Sequence, residues 1–259
     1  MSLEYRNDVE ENEAVEENEN VRRVTPVFPL YSAVLIACLV AVSLCQFAVD
    51  GKDTIIMGSN YSVELAGFVK SAFAQGEYWR ILTGAVLHGG LIHLIFNCYA
   101  LYQLGRLIEI LSNKAHLAIV FLLAAIGGNL LSFFFYPGNP SVGASGGIVG
   151  FLGYLTIYGF KRRKLMPSDF LNSMIFNIIL IAAVGFFIPK ATNNAVMIDN
   201  FGHLGGLLVG IVYGFVQIPS DVYKDPREVG KASEMLGLAA LGAVIAVSAF
   251  AILLLFKIV

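Results

Sequence analysis

Three stretches of the sequence place polar side chains that can do nucleophilic and acid–base chemistry inside apolar segments. Ser145 lies in the run GASGG, His203 in the run GHLGG, and His93 and Asn97 bound the run HLIFN. An imidazole beside a serine hydroxyl can accept the hydroxyl proton and later return it to a leaving group. The oxyanion that forms needs preorganised donors, which His93 and Asn97 can supply. These residue types predict acyl transfer to water, which on a membrane protein means hydrolysis of a peptide bond.

The composition indicates that this chemistry takes place in lipid. The 259-residue chain is 57% hydrophobic and 14% charged, with a mean hydropathy of +0.72, whereas soluble domains are about 25% charged. So few charges cannot cover a solvated surface. This excludes a soluble enzyme, a disordered protein and a nucleic-acid-binding protein with a basic face. The chain is predicted to be an all-α, polytopic membrane protein that contacts the lipid bilayer and no nucleic acid.

Seven apolar stretches approach the roughly 20 residues that a helix needs to cross a bilayer core. They are predicted at 29–49, 81–103, 115–136, 144–160, 170–188, 201–218 and 236–256. The long connection, 50–80, has aromatic residues that favour an ordered interfacial loop. The expected organisation is a disordered, acidic, cytoplasmic tail at 1–28, a six-helix core at 29–218, and a linker with the seventh helix at 219–259.

The basic residues predict the orientation of these spans. Of the 17 lysines and arginines, 12 fall on the side of the N-terminal tail and five on the other side. Cytoplasmic loops carry the excess of Lys and Arg. The N-terminus is therefore predicted to be cytoplasmic and the C-terminus to lie on the opposite side.

The spans also bring the polar residues to one depth. At 1.5 Å per residue from the inner end of each span, Ser145 is about 22 Å up, and His93 and His203 are about 24 Å up. That is roughly 6–8 Å below the outer face of a core about 30 Å thick. Glycines at four-residue spacing allow close approach of two helix backbones in lipid. Ser145 and His203 are therefore expected within hydrogen-bond distance if the fourth and sixth spans pack together.

Each residue taken singly has a simpler interpretation. An intramembrane serine usually bonds back to its own helix, and a lone histidine more often packs or lines a pore. Asparagine usually links helices, and spaced glycines usually serve packing alone. The hydrolytic hypothesis depends on polar residues from three separate spans lying at one depth and facing one another.

The same residues resemble the rhomboid intramembrane serine proteases over about residues 79–214. Four motifs carry the resemblance: a Trp-Arg element in the first loop, a second-helix pattern of His, His and Asn, the sequence GxSG, and a sixth-helix His followed by spaced glycines. The matching positions are Trp79, Arg80, His88, His93, Asn97, Gly143, Ser145, Gly146, His203, Gly206 and Gly210. The resemblance implies the rhomboid six-helix core, and the seventh span is similar to the family's six-plus-one form.

By this resemblance Ser145 is the nucleophile and His203 the general base, and the oxyanion hole is formed by His93, Asn97 and the Ser145 backbone N–H. The other matching residues, His88, Trp79, Arg80, Gly143, Gly146, Gly206 and Gly210, would give structural support. The implied substrates are single-span membrane proteins cut near the outer end of their helix, without a metal or other cofactor. The fifth span and the loop after it would form a lateral gate. Where many members have an aromatic residue after the serine, this chain has Val149. No oligomeric state follows from the sequence.

Two other functions remain open from the sequence. The first is a catalytically inactive rhomboid-like protein that binds membrane helices without cutting them. The second is a transporter or haem protein that uses His88, His93 and His203 as a relay or as ligands.

Overall fold

The apolar stretches of the sequence form the long helices of the computed structural model, which describes residues 28–51, 60–193, 196–221 and 223–259. The predicted tail at 1–28 lies outside these ranges except for its last residue. The described helices are α1 (Leu30–Asp50), α2 (Asn60–Ala66), α3 (Lys70–Ala74), α4 (Arg80–Thr83), α5 (Leu91–Leu111), α6 (Lys114–Phe135), α7 (Ser145–Lys161), α8 (Ser168–Ala191), α9 (Asn200–Gln217) and α10 (Lys231–Leu255). The fold is all-α over the part of the chain described.

Every predicted span corresponds to a helix, but the predicted bounds of the second span, 81–103, were wrong. Its long helix, α5, begins at Leu91 and ends at Leu111. The reason is the pair Gly89-Gly90, since Gly90 has φ +100°, a conformation that interrupts a helix and suits glycine. His88 therefore lies before this helix and not within it.

Five of the described helices are long and apolar enough to cross a membrane, namely α1, α5, α6, α8 and α10. The other two predicted spans are α7, with 17 residues, and α9, with 18 residues. These two shorter helices carry Ser145 and His203.

Helix α7 lies at the centre of the molecule. Twelve of its 17 residues are buried, and it packs against α5, α6, α8 and α9. Around this centre, α10 packs on α1 and α6, and α1 packs on α5. The seventh span is therefore part of the helical body, on the side away from α8 and α9.

Glycines bring the backbones of α7 and α9 into direct contact. A methyl group on Gly206 would lie 2.0 Å from the carbonyl oxygen of Gly146, and one on Gly210 would lie 1.9 Å from that of Gly150. Both distances are far shorter than van der Waals contact. Only glycine at these positions permits the observed separation of the two helices, as expected for close packing in lipid.

Helix α8 is the least buried of the long helices, since only Met174 and Gly185 are buried along its length. Near its C-terminal end, Asn200 of α9 donates from Nδ2 to the carbonyl oxygen of Gly185 over 2.9 Å. The phenyl groups of Phe176 and Phe187 are more than 60% exposed. Most of this helix therefore faces outward from the protein.

Candidate active site

The structure brings Ser145 and His203 together. Ser145 is the first residue of α7, and His203 lies in the first turn of α9. Because the glycine contacts hold these helices at close range, Oγ of Ser145 and Nε2 of His203 are 2.9 Å apart. This is a hydrogen-bond distance, and a serine hydroxyl so placed beside an imidazole can act as a nucleophile with the imidazole as its base.

The start of a helix adds to the electrostatics of this pair. The first four backbone N–H groups of an α-helix have no partner within the helix, and they carry a partial positive charge. Ser145 opens α7, and the preceding residue, Ala144, provides no side-chain cap. The N–H groups at Ser145 and Gly146 can therefore stabilise negative charge formed beside the serine hydroxyl.

His93 and Asn97 face this site from α5. Nδ1 of His93 accepts a hydrogen bond from the backbone N–H of Gly89 at 3.3 Å, which leaves the ring proton on Nε2. A methyl group on Gly143 would lie 2.9 Å from His93 Nε2 and 3.7 Å from Asn97 Nδ2. Both donors thus converge on the backbone two residues before Ser145.

The segment before Ser145 is held in an extended conformation. Ser141 pairs with Phe68 through two backbone hydrogen bonds, and the N–H of Gly143 donates to the carbonyl oxygen of Gly84 over 2.9 Å. Gly143 has φ +123°, which L side chains rarely adopt. Any side chain here would also meet the ring of His93. Gly143 thus has both a conformational and a steric reason to be glycine.

His88 does not reach the Ser145–His203 pair; it lies behind His93. Its ring is fully buried, and Nδ1 is 3.2 Å from Ser43 Oγ. The backbone of His88 is held by the Gln46 side chain, which accepts from its N–H at 3.0 Å and donates to its carbonyl at 2.7 Å. The rings of His88 and His93 meet edge to face, 5.3 Å apart. His88 therefore connects α1 to the segment that positions His93.

Trp79 and Arg80 organise the first loop at a distance from the serine. Nη1 of Arg80 donates to the carbonyl oxygen of Gly67 at 2.9 Å, and Nε donates to Glu77 at 2.6 Å. The guanidinium group also lies over the Trp79 ring, whose edge-to-face partner is Phe250 of α10. These contacts join the loop to the seventh span.

A small, partly open cavity of about 20 Å³ adjoins Ser145 and His203. Its polar lining includes Asn129, Ser141 and Asp199. A cavity of this volume with several polar partners is large enough for one water molecule and too small for a large side chain.

Several residues near the site were not singled out from the sequence as functional. Asp199 is the N-cap of α9, since its Oδ1 accepts from the N–H of Gly202 at 2.8 Å. Its Oδ2 accepts from the hydroxyl groups of Ser132 and Ser141. Lys70 approaches the same carboxylate, with Nζ 3.8 Å from Oδ2. The sequence signal that could have indicated Lys70 and Asp199 was that each is a charged residue among mostly apolar neighbours.

The aromatic residue expected by resemblance after the serine is replaced by Val149, and this side chain is buried in α7. Within the described ranges, no three His, Cys, Asp or Glu side chains are grouped so that they could hold a metal ion.

Comparison with known proteins identifies the fold. The profile of the rhomboid domain matches residues 75–220, more than half of the chain. The chain is 42% identical over 140 residues to "Rhomboid protease GluP" of Bacillus subtilis, covering 54% of this chain and 26% of the relative. It is 33% identical over 152 residues to "RHOMBOID-like protein 6, mitochondrial" of Arabidopsis thaliana, covering 57% of this chain and 46% of the relative. It is also 34% identical over 176 residues to "RHOMBOID-like protein 1" of the same plant, covering 64% and 42%.

The chain thus spans less than half the length of these three relatives. The matched residues include all of the helices α5 to α9 that surround the Ser145–His203 pair. The long apolar helices, taken with this match, make the protein an integral, multi-pass membrane protein. The chain belongs to the rhomboid family.

Proposed function

We propose that this chain is an intramembrane serine endopeptidase that uses Ser145 as nucleophile and His203 as general base. The observation that carries the proposal is the 2.9 Å contact between Ser145 Oγ and His203 Nε2. Its position at the start of a buried helix, opposite the donors of His93 and Asn97, gives that contact the surroundings needed for acyl transfer. The similarity to a relative named as a rhomboid protease supports the same activity.

In the first half of the reaction, Ser145 Oγ attacks the scissile carbonyl carbon while His203 Nε2 takes the hydroxyl proton. The carbonyl oxygen becomes an oxyanion and accepts hydrogen bonds from His93 Nε2, Asn97 Nδ2 and the Ser145 N–H. The carbon–nitrogen bond then breaks, and His203 gives its proton to the leaving amine. The products of this half are an amine fragment and an acyl ester on Ser145.

In the second half, water replaces the amine. His203 accepts a proton from a water molecule, whose oxygen attacks the ester carbon. The ester bond breaks, the proton returns to Ser145 Oγ, and a new carboxyl terminus leaves. The cavity of about 20 Å³ beside the pair is lined by polar groups that can hold such a water in reach of Ser145.

The substrates proposed are single-span membrane proteins, cut near the outer end of their transmembrane helix. A peptide bond within a helix is shielded by the side chains of that helix. Helix-weakening residues near the cleaved bond favour an extended form of the substrate, in which the bond can reach Ser145. The little-buried helix α8 provides a side through which such a segment can approach Ser145 from the lipid. With the N-terminus in the cytoplasm and the C-terminus on the opposite side, the site opens to the outer face.

The proposal is tested by cleavage of a fluorogenic single-span substrate in proteoliposomes. Wild-type protein is expected to cut the substrate and to be labelled by a fluorophosphonate probe. Ser145→Ala is expected to lose both activities, because no other group takes the place of its hydroxyl. A Ser248→Ala variant, which removes a buried serine bonded to its own helix on α10, serves as the matched control and should keep both.

Equal cleavage by wild type and Ser145→Ala would overturn the mechanism. Binding of the substrate by a stable wild-type protein, with neither cleavage nor labelling, would instead support the inactive rhomboid-like binding protein.

A further inference from the structure

A partly buried polar cluster joins four separate segments directly behind the Ser145–His203 pair. Its members are Lys70 of α3, Ser132 of α6, Ser141 of the extended segment, and Asp199 at the start of α9. Lys70 is only 3% exposed, so its charge is removed from solvent. A buried charge of this kind is costly unless it is paired and hydrogen-bonded.

The Lys70 ammonium group is satisfied by three kinds of partner. Nζ donates to Ser141 Oγ at 2.8 Å and to the carbonyl oxygen of Asn139, and it lies 3.8 Å from Asp199 Oδ2. It is also 5.0 Å from the centre of the Tyr136 ring, within the range of a cation–π interaction. Lys70 therefore links the first loop to the segment that leads into Ser145.

Asp199 makes the matching link to the histidine. One carboxylate oxygen caps Gly202, the residue before His203, and the other accepts from Ser132 and Ser141. The backbone carbonyl of Asp199 accepts from the N–H of His203 at 3.1 Å. The carboxylate does not bond the His203 ring, whose Nδ1 is buried and without a hydrogen-bond partner among the described residues. Asp199 therefore hydrogen-bonds to the backbone of His203 and not to its ring.

We propose that Lys70 and Asp199 are positioning residues that set the distance between Ser145 and His203, and that they do so only while Lys70 is protonated. The two residues hold the segment before the serine and the helix of the histidine against one another through Ser141. This inference rests on the proposed protease function and adds a pH-dependent control to that same site. Neither residue touches the reacting atoms.

The titratable and charged groups facing this cluster are few. They are Lys70, Asp199, Tyr136 and His203 among the described residues. Burial lowers the pKa of Lys70 to about 8, while the Asp199 carboxylate opposes that shift. Burial raises the pKa of Tyr136, and the Asp199 charge adds to this rise. Between pH 8 and 10, therefore, Lys70 is the group in the cluster that loses its proton.

The expected result is a fall in activity at alkaline pH that is caused by deprotonation of Lys70. Wild-type kcat should decline above about pH 8, as the ammonium group is lost and Asp199 is left without its cation. Lys70→Met should have a kcat at pH 7 that is at least about 10-fold lower, because small displacements of catalytic groups are costly. Its remaining activity should show no alkaline fall.

The experiment measures kcat and KM of the full chain in proteoliposomes between pH 6.5 and 10, with the rate of fluorophosphonate labelling of Ser145 as a second readout. Lys257→Met is the matched control, because Lys257 also lies over an aromatic ring but is exposed. It should keep the wild-type profile. Lys70→Arg keeps its charge at these pH values. If the positive charge alone is required, the alkaline fall in its activity should move to higher pH.

Asp199→Asn provides a variant that keeps an acceptor oxygen for the helix cap but removes the charge. The double variant Lys70→Met with Asp199→Asn should lose no more activity than the less active single variant, because each single substitution already removes the same Lys70–Asp199 pair. If the wild type is active and labelled, and Lys70→Met shows the same fall in kcat above about pH 8, this inference is wrong but the proposed protease function stands. An inactive, unlabelled wild type would overturn both.

Discussion

The Asn97 side chain carries two N–H bonds, and one of them is used within its own helix. Nδ2 donates to the carbonyl oxygen of His93 at 3.1 Å, which holds the amide in a fixed orientation. The same nitrogen would lie 3.7 Å from a methyl group built on Gly143. Its second N–H can therefore donate to an oxyanion on a carbonyl bound at Ser145, with little reorganisation.

At the residue scale, Asn97→Ala is expected to lower kcat by about 100-fold, the typical cost of losing one oxyanion donor. KM should change little, because the donor acts mainly on the transition state. The matched control is Asn177→Ala on α8, whose Nδ2 likewise bonds the carbonyl four residues earlier, at 2.7 Å. Steady-state kinetics of both variants check the prediction. A kcat for Asn97→Ala equal to that of the control would remove Asn97 from the oxyanion hole.

At the scale of elements, the glycine contact between α7 and α9 fixes the geometry of the site. Each helix supplies one member of the pair, so the distance between Ser145 and His203 follows from how closely the two backbones approach. That approach depends on Gly206 and Gly210, which meet carbonyl oxygens and not movable side chains. A backbone contact cannot relax by a change of rotamer, so substitutions there must shift a whole helix.

Gly206→Ala is therefore expected to destabilise the protein by about 1–3 kcal/mol, the usual cost of overpacking, and to slow labelling of Ser145. Gly242→Ala on α10 is the matched control, because a methyl group there would meet nothing within 4 Å. Thermal unfolding in detergent and the labelling rate measure the two effects. Equal melting temperatures for the two variants would show that the close contact does not stabilise the fold.

At the scale of the whole molecule, the number of predicted spans is what predicts that the two chain ends lie on different sides of the membrane. The seven predicted spans are an odd number, which predicts chain ends on opposite sides. The seventh span, α10, is part of the helical body because it packs on α1 and α6. The basic residues at 161–164 and at 224–231 belong to connections on one side, the side expected to be cytoplasmic. With this predicted orientation, the start of α7, with Ser145, is expected to lie toward the opposite side.

This topology predicts the behaviour of reporter fusions. Alkaline phosphatase fused after Val259 should be active, while a green fluorescent protein at the same point should stay dark. A fusion after Lys164, in the predicted inner loop, serves as the control and should give the reverse result. High fluorescence from the Val259 fusion would contradict an outer C-terminus.

The sequence predicted the seven long helices from apolar length, and it predicted the meeting of Ser145 with His203 on the condition that the two glycine-rich spans pack together. Apolar length defines a span, and glycine spacing defines a close helix pair. The start of the second long helix was misplaced because an apolar run continues across Gly89-Gly90. The Lys70–Asp199 pair could not be predicted, since it joins segments far apart in the chain and depends on how the first loop folds over them.

The lengths of α7 and α9 also have a consequence for biosynthesis. At 17 residues, α7 is about 26 Å long, less than the thickness of a typical hydrocarbon core, and α9 carries Asn200 and His203 in its first turn. Neither is among the described helices suited to cross a membrane by their own length and apolarity. Their insertion at the translocon is therefore expected to depend on neighbours that are already in place. The helices of Ser145 and His203 would then enter the membrane only together with the more apolar helices.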